Sequence, residues 1–116
     1  DGVVGLISIT NDAEKQFILF SKSARSDYFA QLLNEIADKV PVRRTRLSTD
    51  EKFQYINHRE RIIFSIQIDL PNPELNESVA ESVASDLNAM ILNKAITTIS
   101  TGFTNDLDNR YGFVPL

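Results

Sequence analysis

A chain of 116 residues, 42% hydrophobic and 24% charged, has the balance of one globular domain (1–116) and enough length to bury a core without staples. With no cysteine and a single histidine it lacks the material for disulfides, thiol nucleophiles and Cys/His zinc sites, and no metal or cofactor is expected. Its formal net charge of −4 argues against a general nucleic-acid binder, which needs a basic footprint.

The opening "GVVGLISIT" is apolar on both alternations and predicts a strand covered on both faces. "NDAEK" supplies turn residues, and "QFILFS" reads as a second strand, with Phe17 and Leu19 opposing Ile18 and Phe20, to make a hairpin. Ser26 is placed to cap a helix whose apolar residues, Phe29, Leu32, Leu33, Ile36, Ala37 and Val40, recur at three and four. Pro41 ends it. "VRRTRLS" predicts a charged edge strand, "KFQYI" a short strand, "NHRE" a turn, and "RIIFSIQIDL" the strongest strand. On that strand Ile62, Phe64, Ile66, Ile68 and Leu70 share one face, and the face with Ser65 and Gln67 is only partly dry.

"PNPEL" then predicts a helix start, with Asn72 as cap and Pro73 in the first position, followed by a buried stripe Leu75, Val79, Val83, Leu87, Met90 and Ile91. Residues 92–104 keep helical spacing but are rich in β-branched side chains, and they read as a continued or broken helix. The expected class is α+β, a five-stranded antiparallel sheet packed with helices in the order β-β-α-β-β-β-α(α).

With its hairpin "GVVGLISIT…QFILFS", the helix "SDYFAQLLNEIADKV", the central pair "FQYI…RIIFSIQIDL" and the helix "NPELNESVAESVASDLNAMIL", the chain resembles a longin-type domain over nearly its whole length. The opening is similar to that of roadblock domains too. The resemblance implies a longin/profilin-like sandwich with helices on both faces. It also implies a non-enzymatic role, docking a small GTPase, a trafficking-complex subunit or a second copy. An alternative order makes "AITTISTGF" and "YGFVPL" strands and resembles the ferredoxin-like domain of a type IV pilus or type II secretion scaffold, which would place it in the periplasm.

Six of the twelve basic residues, Arg43, Arg44, Arg46, Lys52, Arg59 and Arg61, fall in one segment. The guanidinium fork suits bidentate contact with an acidic partner, so Arg43, Arg44, Arg46, Lys52 and Arg59 are the candidate partner-binding residues, set against the plainer reading of a solvated edge. His58 with Glu60 and Asp50 would make a base and its orienter, but no nucleophile has a matching context, and a solvated turn is the better reading. Glu74, Glu77 and Glu81 read as a solvated helix face, and the acceptor pattern at Asn76 is expected inside a helix. The apolar strip Phe17, Leu19 and Phe20 reads as core or as an association face. No apolar run reaches the roughly 20 residues that span a bilayer, and a cytoplasmic domain cut from a longer chain is expected, with membranes met only indirectly or through flanking segments.

Overall fold

The apolar opening forms strand β1 (Val3–Ser8) in the computed structural model, which describes residues 2–56 and 61–116. No second strand folds back on it. Asn11–Phe17 is helix α1, because the Thr10 hydroxyl accepts from the Ala13 amide and Asp12 and Glu14 occupy the first turn. Ala13, Phe17 and Phe20 follow helical spacing, so Phe17 is buried and Phe20 half-buried, while Ile18 and Leu19 stay outside at 53% and 82% exposure. Helix α2 (Lys22–Lys39) begins a turn earlier than predicted, with Ser21 as cap in place of Ser26, and stops before Pro41 as expected.

The arginine segment is not an edge strand. Arg44–Arg46 closes a 3₁₀ turn, and only Leu47–Ser48 (β2) joins the sheet. Local bonds outcompete a ladder here: the Arg46 amide donates to the Arg43 carbonyl, Arg43 Nη1 to the Thr45 hydroxyl, and Arg44 Nη1 to the Leu47 carbonyl. β3 (Phe53–Ile56) and β4 (Arg61–Ile68) form as predicted and pair antiparallel, Phe53 opposite Phe64. The turn expected at 57–60 lies outside the described residues. Leu70 falls beyond the strand and is exposed.

Helix α3 (Ala80–Leu92) starts seven residues later than the proline suggested. The Asn72 side chain accepts from the Glu74 amide and its carbonyl from the Leu75 amide, closing a turn that Asn76 leaves at φ 53°. Leu75 and Val79 are therefore exposed, and Asn76 lies in the turn instead of a helix. Residues 92–104 are a broken helix of 3₁₀ turns, Lys94–Ile96, Thr98–Ser100 and Gly102–Asp106, the last running just past that stretch. Hydroxyls of Thr97, Ser100 and Thr101 donate to the Met90, Thr97 and Thr98 carbonyls and so favour turns over a strand. Val114–Pro115 (β5) then pairs with β1.

The fold is α+β, with a five-stranded antiparallel sheet in which β2 and β3 both flank β4, β4 flanks β1, and β1 flanks β5. Register puts Val3, Gly5 and Ile7 on one face with Ile68, Ile66 and Phe64. All three helices lie over that face: Phe17 of α1 meets Phe53 at 5.0 Å, Phe29 of α2 meets Phe64 at 4.8 Å, and Val83, Leu87 and Ile91 of α3 join the same core. The Phe113 ring occupies the space over Gly5, where a Cβ would lie 2.3 Å from it.

Candidate interaction surface

The opposite face of the sheet carries no helix among the described residues. Val4 and Leu6 of β1 stand there beside Gln67 and Ser65 of β4, and Val114 of β5 stands beside Leu6. Val4 is 37% exposed and Val114 41%, against the expectation that β1 is covered on both sides. The partly dry face expected for Ser65 and Gln67 is this one. All five side chains are uncharged. A shallow cleft of about 260 Å³ crosses the face, floored by Leu6, Ile63 and Ser65 with Gln54 and Lys52 at its rim. Ile63 is buried, yet it stands apart from the helix-covered core.

The candidate arginines are largely committed to the chain's own structure. Arg43 grips Glu77 with two hydrogen bonds, Nε at 2.8 Å and Nη2 at 3.1 Å, and these hold the Glu77 carboxyl well below the usual range, at about 2. Arg44 Nε donates to Asn34 Oδ1 at 2.6 Å. Arg46 is 3% exposed, its Nε and Nη2 converging on the Asp69 carbonyl. Lys52 is exposed, and its amide donates to Asp50 Oδ1. Arg59, His58 and Glu60 lie outside the described residues. Of the expected acidic helix face, only Glu81 is in α3; Glu74 and Glu77 precede it.

A polar cleft between α1, α2 and the Gly102–Asp106 turn has no signal in the sequence, because its members lie far apart along the chain. It holds about 340 Å³ beside Thr10, Gln16, Phe20, Tyr28, Lys94 and Asp106. The Tyr28 hydroxyl donates to Asp106 Oδ2 at 2.8 Å, and burial, reinforced by that carboxylate, pushes its ionisation far above the ordinary phenol range. Lys94 Nζ donates to the Asn105 and Leu107 carbonyls. Among the described residues no His, Cys, Asp and Glu group is arranged to hold a metal ion, and no helix is long and apolar enough to cross a membrane.

No known protein family, no curated protein and no solved structure matches the chain.

Proposed function

We propose that this domain is a non-enzymatic interaction module that docks a protein partner on the open face of its sheet. The longin and roadblock resemblance implies a small GTPase or a trafficking-complex subunit as that partner. The observation that carries the reading is the uncharged strip Val4, Leu6, Ser65 and Val114, a half-apolar face left without the helix that would normally cover it. The opening hairpin that entered the resemblance is a strand followed by a helix, so the support comes from the sheet face and from the β3–β4 pair. A matching partner presents an apolar surface of low charge to the strip itself, where Val4, Leu6, Ser65 and Val114 offer no counter-ion, the charged Asp50 and Lys52 standing only beside the neighbouring cleft.

The test is binding of the purified chain to purified small GTPases in both nucleotide states and to trafficking-complex subunits, by calorimetry and light scattering. Val4→Lys with Val114→Lys places two charges on the strip at half-exposed sites and should leave the melting temperature unchanged. The expected result is a complex weakened by about tenfold or more in this variant, as for the loss of a central anchor. Binding that survives the variant intact, or no binding by any of these proteins, overturns the reading.

A further inference from the structure

The turn at Arg43–Arg46 and the start of α3 enclose a second cleft, of about 290 Å³, lined by Arg43, Arg46, Glu77 and Ser78. Arg46 is the unusual member. Its side chain is almost wholly buried, yet among the described residues no carboxylate lies within ion-pair distance of it. Both of its hydrogen bonds go to one neutral acceptor, the Asp69 carbonyl, and Nη1 makes none among the described residues. Every fully buried side-chain nitrogen and oxygen in the described chain has a partner. Nη1 is therefore not sealed in the core and meets the cleft that Arg46 lines.

The Glu77 carboxylate acts on Arg46 through space but spends its hydrogen bonds on Arg43 and the Asn72 amide. The buried Arg46 guanidinium is therefore bonded only to a neutral carbonyl and is stabilised further when an anion completes its coordination. The other wall adds to the same field. Helix α3 runs for thirteen residues, and Val79 before it has no side chain able to cap it, so the Ala80 and Glu81 amides have no capping acceptor. The Ser82 and Val83 amides bond the Val79 carbonyl, and Glu81 in the first turn offsets part of the helix's positive end. Ser78 brings a hydroxyl to the same wall. Within the cleft Glu77 neutralises one of the two arginines and leaves a single net positive charge.

We propose that this cleft binds a small oxyanion group, a phosphate or a carboxylate, held by Arg46 Nη1 together with the Ser78 hydroxyl and the first amides of α3. The proposal is independent of the sheet face and stands whether or not a partner docks there.

The experiment is a titration of the isotope-labelled chain with inorganic phosphate and, separately, with acetate, followed in amide and arginine side-chain NMR spectra. Saturable shifts of the Ser78, Ala80 and Glu81 amides and of the Arg46 Nε–H are expected. Tighter phosphate binding assigns a phosphate group as the natural ligand chemistry, and tighter acetate binding a carboxylate. Glu77→Gln keeps an oxygen for the Asn72 amide and removes a like charge from the rim, and should tighten binding by about two- to fivefold. Arg46→Lys, which loses the fork, should weaken it by about tenfold. The absence of saturable shifts at these groups with either anion overturns the proposal, as does an affinity that Glu77→Gln leaves unchanged or lowers.

Discussion

Glu14 is a carboxylate standing where a sheet would ordinarily supply a peptide carbonyl. It is 7% exposed, and its Oε1 accepts from the Ile62 amide, near the point where the β1–β4 register runs out at Ser8 and Ile63. Its position follows from α1, which carries it across the end of the sheet. Removing the acceptor strands a buried N–H, which costs about 1–3 kcal/mol. Glu14→Ala should therefore lower stability by about 2 kcal/mol in urea denaturation, and Glu14→Gln, which keeps an oxygen, by distinctly less. At Gly5 the constraint is steric: a methyl would meet the Phe113 ring at 2.3 Å. Gly5→Ala should cost about 1–3 kcal/mol by overpacking. It should also speed hydrogen exchange at Leu116, whose amide donates to the Val4 carbonyl at 2.8 Å.

Among the elements, those legible in the sequence are the ones whose burial alone explains them. α2 shows its stripe because Phe29, Leu32, Leu33 and Ile36 all face one core, and β4 shows its alternation because Ile62, Phe64, Ile66 and Ile68 do the same. The misread segments are those where polar side chains bond the backbone nearby: Thr10 before α1, the arginines at 43–46, and Asn72 before α3. There the apolar pattern is silent, and short-range hydrogen bonds choose the conformation. One contact between elements carries a pH signature. The Tyr28 hydroxyl ties α2 to Asp106, and its ionisation is raised above that of the unfolded chain. A phenol raised in this way contributes its full stability below about pH 10, the unfolded value, and loses it as the pH climbs beyond. Melting temperatures should accordingly fall above pH 10. Tyr28→Phe should flatten that fall while lowering stability at neutral pH by about 1 kcal/mol.

At the scale of the whole molecule, the α+β class and the five antiparallel strands are the expected ones, but the membership of the sheet differs. The strand expected at 16–21 became the end of a helix and the turn after it, and a two-residue strand at 114–115 took the place beside β1. Because α1, α2 and α3 share one side, the sandwich has two layers, and the second face of the sheet is the surface proposed to dock a partner. Half of that surface was readable, since Ser65 and Gln67 interrupt the apolar run of β4. The other half was not: Val4 and Leu6 are as apolar as the core residues beside them, and only the pairing register says which way each points. The anion cleft was hidden for a different reason, since burial singled out Arg46 from neighbours of the same chemistry.

β5 also settles where the chain's two ends lie. Its pairing sets Pro115 opposite Gly5 and the Leu116 amide on the Val4 carbonyl, so the last residues run alongside the first on one edge. Linear order is then a weak constraint on this architecture. A circular permutant, closed by a short Gly/Ser bridge from 116 to 2 and reopened in the 73–79 loop, preserves every strand pairing described. The same adjacency makes the domain geometrically suited to insertion within a host protein, entering and leaving through neighbouring points.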